Sequence, residues 1–143
     1  MKLQILKQGE QPVENYKTVF LYPNGDMSSI TLQDVSDNEC TEILAGDIFN
    51  FCASDQIQTC VDALMQKLRI NGLLTIGGTD IRLFCKSVIN NTIDMNFACN
   101  MISECRSMST LTHAIEALAR HKVDIVNTTM SASHYTVKAR RLS

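Results

Sequence analysis

No apolar run in this chain approaches the roughly 20 residues that a membrane-spanning helix needs, so a helical span is excluded. Charge of one sign is lacking as well. Thirteen Lys and Arg stand against 15 Asp and Glu, a formal net charge of −2, which provides no general pull toward nucleic acid or an anionic membrane. The six cysteines (Cys40, Cys52, Cys60, Cys85, Cys99 and Cys105) include no C-x-x-C pair, and a zinc site usually needs closely spaced ligands. The start, Met1 to Gln8, is too short and too polar for a signal peptide, which leads us to expect a cytoplasmic protein. There is no internal repeat, no low-complexity linker, no Ser–His–Asp arrangement and no phosphate loop. His113, His121 and His134 are scattered, without an evident catalytic partner, and no spacing argues for a Cys–His pair.

What is present suits one globular domain: 143 residues and 16.0 kDa, with 45% hydrophobic and 20% charged residues. Most cysteines fall among apolar neighbours, as in Phe84-Cys85 and Ala98-Cys99, and read as buried, reduced small hydrophobes. Lys138, Arg140 and Arg141 gather at the end of the chain and read as a solvated strand edge.

Residues 1–38 read as an N-terminal β-hairpin extension. Leu3 to Leu6, Tyr16 to Tyr22 and Met27 to Leu32 are strand-like, and Pro23-Asn24-Gly25-Asp26 is a hairpin turn signal. Residues 39–143 read as a separate, compact α/β unit. Thr41 to Gly46 is a short apolar strand ending at Asp47. Ser54 stands at an N-cap position, and Ile57, Val61, Leu64, Met65 and Leu68 follow at helical spacing. Asn71-Gly72 offers a left-handed stop, and Leu73 to Ile76 follow as a buried strand. Strand, helix and strand with tight connections form a βαβ unit, so the two strands are expected to be parallel.

Beyond Asp80, Ile81, Phe84, Cys85 and Val88 form one helical stripe. Phe97, Met101 and Ile102 form a second within Ile93 to Cys105. Leu111, Ala114, Ile115 and Leu118 form a third, capped by Ser109. Val123 to Val126 and His134 to Ala139 read as the last two strands, with Asn127 to Ser133 as the turn between them.

From Glu39 onward this order resembles the C-terminal half of the class I S-adenosylmethionine-dependent methyltransferases. Ile43 to Asp47 is similar to the fourth strand of that family, and Ser54 to Ile70 to the helix after it. Asn71-Gly72-Leu73-Leu74-Thr75-Ile76 resembles the family's glycine turn and fifth strand, with Asn71 in place of the first glycine. Thr110 to His121, Val123 to Val126 and Tyr135 to Ala139 resemble its last helix and terminal strand pair. The resemblance implies a partial Rossmann-like sheet: a parallel βαβ core plus a C-terminal antiparallel pair. The family also carries a glycine-rich loop after its first strand and an acidic residue that holds the cofactor ribose. In residues 1–38 the glycines Gly9 and Gly25 are isolated, so neither element is supplied.

The resemblance places Gly77, Gly78, Thr79 and Asp80 at the carboxyl end of a parallel strand, where open α/β sheets hold ligands, and Asp47 in the like position one strand earlier. These five residues are the candidate rim of a degenerate cofactor site. The competing reading makes the glycines a tight turn, Thr79 or Asp80 a helix cap, and Asp47 a turn residue.

Three functions follow as expectations. The first is a non-catalytic module without cofactor, acting as a protein-interaction or assembly subunit, a viral particle assembled in the cytoplasm being one such assembly. Its partner, a protein or a second copy, would use an exposed sheet edge, because loss of the family's first strands uncovers the fourth unless the N-terminal hairpin covers it. The second is an S-adenosylmethionine-dependent transferase completed by a partner chain or using an atypical pocket. The third is a small enzyme in which Asp47, Asp80 and a cysteine or histidine converge. No metal, nucleic acid or membrane is expected.

Overall fold

The computed structural model describes residues 1–7, 9–21 and 32–143. A single six-stranded sheet organises them, built from β1 (Lys2–Lys7), β2 (Lys17–Leu21), β3 (Cys40–Ala45), β4 (Leu68–Thr79), β5 (Val123–Ser131) and β6 (His134–Arg141). The strand order is β2-β1-β3-β4-β6-β5. The four on the β2 side are mutually parallel, and β6 and β5 add an antiparallel pair. The expected α/β class, parallel βαβ core and terminal antiparallel pair are therefore all present.

The N-terminal strand pair also exists, but β1 and β2 run parallel, with Leu3 opposite Lys17 and Lys7 opposite Leu21. The link between them is therefore a crossover and not a hairpin turn. The Asn24-Gly25 turn and most of the Met27 to Leu32 strand lie outside the described residues. Parallel neighbours ordinarily need a connection of about a dozen residues or more, usually helical. Here the link 8–16 contains no helix among its described residues. The buried side chain of Gln4 secures it instead. Its Nε2 donates to Val13 O (3.1 Å) and to Thr18 Oγ1 (2.6 Å), and its Oε1 accepts from Val13 N (3.0 Å). A primary amide thus takes the place of a neighbouring strand's backbone. β1 also pairs with β3, so the edge of β3 that was expected to be exposed is covered from within the chain.

Alternation along the strands points Leu3, Ile5, Ile43, Ala45, Leu74, Ile76, Tyr135, Val137 and Ala139 to one face, where all are buried. Two helices cover this face. In α1 (Ile57–Lys67), Ile57, Cys60, Val61, Leu64 and Met65 recur at steps of three and four and are all buried. In α4 (Leu111–Ala119), Ala114, Ala117 and Leu118 do the same. The helices are tied by Gln58 Nε2 donating to Ala117 O (3.1 Å) and by the Asp62–His121 pair (2.6 Å). On the opposite sheet face Leu44, Leu73, Thr75, Thr136 and Lys138 are only half-buried.

Several local expectations change. The first helix stops at Lys67 and not at Asn71-Gly72, because the fully buried Leu68 already belongs to the sheet. Asn71 does adopt the left-handed conformation (φ 65°), but inside β4, where Cys40 pairs with Leu68 and Glu42 with Leu73. Its positive φ serves a bulge. Ser54 opens a short 3-10 turn (Ser54–Gln56) without capping α1, and Thr110, not Ser109, caps α4 by accepting from His113 N (3.1 Å). β5 runs on to Ser131, leaving only Ala132 and Ser133 as the turn.

α2 (Ile81–Ile89) and α3 (Met95–Glu104) lie outside the main core. Each buries one residue, Phe84 and Ala98, while Ile89, Phe97 and Ile102 are exposed. Their apolar stripes are real in sequence but are not packed inward. For the same reason only Cys40, Cys52 and Cys60 are buried, whereas Cys85 and Cys99 are exposed; all six cysteines are free thiols. The basic C-terminal strand is interior and not an edge. Arg141 Nη1 donates to Asn38 Oδ1 (2.7 Å), Met65 O (3.0 Å) and Leu68 O.

Candidate functional site

The chain leaves β1 for β2 on one side of the sheet and β3 for β4 on the other. The boundary between β1 and β3 is therefore a topological switch point, and ligands of open α/β sheets bind outside the carboxyl ends at such points. Lys7 ends β1 there, and Asp47 follows β3 after Gly46.

The turn that carries Asp47 is held from several directions. Ile48–Asn50 form a buried 3-10 turn, and Asn50 Oδ1 accepts from Thr79 N (2.8 Å), joining the end of β3 to the end of β4. The segment after α3 is fastened to the same turn: Arg106 N donates to Asn50 O (2.7 Å), and Ser107 Oγ to Cys52 O (2.5 Å). β6 then brings His134 opposite Thr79. His134 Nε2 lies 2.6 Å from Asp47 Oδ1 and 3.1 Å from Gly46 O. Both partners are acceptors, so Nε2 carries the proton and donates.

This pairing shifts both groups. The hydrogen bond from His134 holds the Asp47 carboxyl below the usual carboxylate range despite partial burial, and the Asp47 carboxylate raises the imidazole above its ordinary value. Glu10, which reaches the same place from the β1–β2 link, is raised by desolvation and then by the negative charge of Asp47. The result is a cluster of Lys7, Glu10, Asp47 and His134 drawn from three parts of the sheet.

Beside this cluster opens a cavity of about 300 Å³, at the small end of the range for ligand sites. Lys7, Asp47, Asn50, Thr79 and His134 form its polar side, and Phe51, Ile93, Phe97 and Met101 its apolar side. Cys105 also lines it, but burial pushes its thiol up, so the thiolate that a nucleophile requires is disfavoured.

Of the five residues singled out from sequence, Asp47 and Thr79 line the cavity. Gly77 and Gly78 lie within β4 and make no turn. A Cβ on Gly77 would collide with the backbone oxygens of Tyr135 and Gly46, and one on Gly78 would lie 3.0 Å from Phe49 Cβ. Asp80 is a cap: Oδ1 accepts from Arg82 N (3.0 Å) and Leu83 N (3.1 Å), and Oδ2 from Leu111 N (3.3 Å). It is not among the residues that line the cavity, its carboxylate being taken up by these three amides. Lys7, Asn50 and His134 were not legible from local sequence. The one available signal was register, since pairing the last strand antiparallel to the glycine strand sets His134 against its carboxyl end.

Structural comparison identifies the architecture. A methyltransferase from Archaeoglobus fulgidus, described as S-adenosylmethionine-dependent, superposes over 98% of this chain and 86% of its own, with a TM-score of 0.59 and 10% identity. The fold is that of the class I methyltransferases. A TehB-like methyltransferase from Corynebacterium glutamicum gives a TM-score of 0.52 at 15% identity, over 90% of this chain and 57% of its own. The 1,6-didemethyltoxoflavin-N1-methyltransferase of Burkholderia thailandensis, whose structure holds S-adenosylhomocysteine, gives 0.54 at 13% identity, over 99% and 72%. The methyltransferase-like chain thus spans little more than half of one of these relatives and most of another. No family model matches the sequence, and no curated protein matches it. No helix among the described residues is long and apolar enough to cross a membrane.

Proposed function

We propose that this chain is a methyltransferase-like module without methyl-transfer chemistry of its own, serving as a protein-interaction or assembly subunit. The observation that carries this reading is the link after β1. A nucleotide-type cofactor at that position is met by several glycines that admit the backbone and by a following helix N-terminus. Here the link has one glycine, Gly9, at φ +92°, and its described residues form no helix. The cation of Lys7 and the carboxyl of Glu10 occupy its start. These residues do not fit S-adenosylmethionine, and we assign the chain no resident cofactor.

A second reading has one observation in its favour. The Asp47–His134 pair borders a cavity at the switch point, as the site of a transferase completed by a partner chain would. Titration calorimetry of the isolated chain with S-adenosylmethionine separates the two. The interaction-subunit reading expects no saturable heat, and micromolar binding overturns it.

A further inference from the structure

We propose that the cavity beside Asp47 and His134 binds a small aromatic carboxylate, with Lys7 and the side-chain amide of Asn50 meeting its anion and Phe51, Phe97 and Met101 its ring. The proposal goes beyond the interaction-subunit reading and does not depend on it. A ligand of this kind needs neither a glycine loop nor methyl transfer.

One wall of the cavity carries hydrogen-bond donors without acceptors. Asn50 lines it and is only 9% exposed. Its Oδ1 accepts from Thr79 N (2.8 Å), which fixes the amide and makes Nδ2 the atom left over. Nδ2 has two protons to donate, and no partner for it exists among the described residues. Yet no buried side-chain polar atom among those residues lacks a partner. Nδ2 therefore reaches open space, and the cavity is the open space that Asn50 borders. Lys7 ends β1 at the same wall, and its Nζ has no hydrogen bond or ion pair among the described residues. His134 spends Nε2 on Asp47 and Gly46 O, and in its charged form the other ring nitrogen donates as well.

An anion with two acceptor oxygens answers such a wall. The neighbouring carboxyls limit how much charge it can bring. Asp47 is balanced by His134, but Glu10 lies close to Asp47, and the exposed Glu104 lines the cavity from the end of α3. A single negative charge is accommodated there, whereas the nearly double charge of a phosphate is opposed. Carboxylate is the anion that fits.

The other wall selects the body of the ligand. Phe51 stands half-buried after the turn that carries Asp47, and α3 presents Phe97 and Met101 one helical turn apart. Phe97 is 54% exposed, so much of its ring is free to be covered. Aromatic rings and a thioether attract another ring more than they attract an aliphatic chain of equal area. The volume of about 300 Å³ admits a compound of one or two rings.

The test is titration of the full chain with 2-naphthoate, followed by calorimetry and by the amide resonances of an isotope-labelled sample. Saturable binding is expected, with the largest shifts at the Asn50 side-chain amide, Lys7 and Phe97. The uncharged 2-naphthamide should bind about tenfold more weakly, the usual worth of a hydrogen bond to a charged group. Octanoate, which keeps the charge without the ring, should also bind more weakly. Lys7→Gln should weaken 2-naphthoate binding by a similar factor of about ten. Asn50→Asp keeps the acceptor for Thr79 N but loses the donor, and should abolish binding. Lys138→Gln, on the open sheet face, should leave it unchanged. Absence of saturable binding at millimolar concentration overturns the proposal. Equal affinity for the amide or for octanoate does so too, as does binding indifferent to Lys7→Gln. Should Asn50→Asp fail to fold, Lys7→Gln and the location of the shifts decide.

Discussion

Asp47 and His134 are 87 positions apart in sequence, and their side chains meet at 2.6 Å. The contact joins the carboxyl end of a parallel strand to the start of the last antiparallel one, and it makes the mouth of the cavity sensitive to pH. The raised imidazole contributes stability that is complete below its ordinary 6.5 and is lost as pH rises through the folded value. The lowered carboxyl contributes stability present above its ordinary 3.8 and lost as pH falls through the folded value. The pair is therefore strongest between these two limits. Both side chains are more than a third exposed, so screening keeps its contribution below about 1 kcal/mol. A nuclear magnetic resonance titration of the His134 ring should give an inflection above the ordinary histidine value, moving down in Asp47→Asn. An inflection that stays put in the variant would contradict the assignment.

Gly77 is required by close packing of backbone on backbone. Gly77→Ala should destabilise the protein by about 1–3 kcal/mol, because the added methyl meets the oxygens of Tyr135 and Gly46, which are fixed by the ladder. Gly46→Ala is the control. Its methyl would lie 4.0 Å from Thr136 Cγ2, an ordinary contact. Urea denaturation should show a lowered midpoint for the first variant and little change for the second.

Asp80 is a structural cap for two helices. Asp80→Ala removes the acceptor for Arg82 N, Leu83 N and Leu111 N and should cost about 0.5–2 kcal/mol. Asp80→Asn keeps the Oδ1 acceptor and should retain most of that stability. Thermal melting of the two variants is the measurement, and equal losses would argue against capping as the role.

Gln4 should prove unusually intolerant for a polar residue. Gln4→Leu removes the partner of both Val13 N and Val13 O, groups that are only partly buried, and should cost about 1 kcal/mol for each hydrogen bond lost. The Val13 amide should then exchange with solvent faster than in the wild type while amides of β4 keep their protection. Uniform loss of protection would mean that the link is not held locally.

Much of the fold could be read because its signals are local. Helical spacing in Ile57 to Met65 and the apolar run Leu73 to Ile76 placed the βαβ unit, and both helix and strand follow there in the same parallel arrangement. Leu3 to Leu6 and Lys17 to Leu21 were legible as strands, but their mutual direction was not, because strand-forming residues look alike whether paired parallel or antiparallel, and the Asn24-Gly25 turn lies outside the described residues. The stripes of α2 and α3 have helical periodicity without burial, since periodicity reports an amphipathic surface and not what covers it. Asp47 was visible as the residue after a strand. Its partner His134 was not, because the two are related only through the position of β6 beside β4.

Arg141 bears on the order of events during synthesis. Its guanidinium reaches Met65 O at the carboxyl end of α1, Leu68 O at the start of β4, and Asn38 from the segment leading to β3. The strand that carries it lies between β4 and β5, although it follows both in the chain. A chain that has not yet placed β6 leaves β5 unattached and β4 with a bare ladder edge. β5 should therefore join the sheet only together with residues 134–141 and not in the order in which the strands are made.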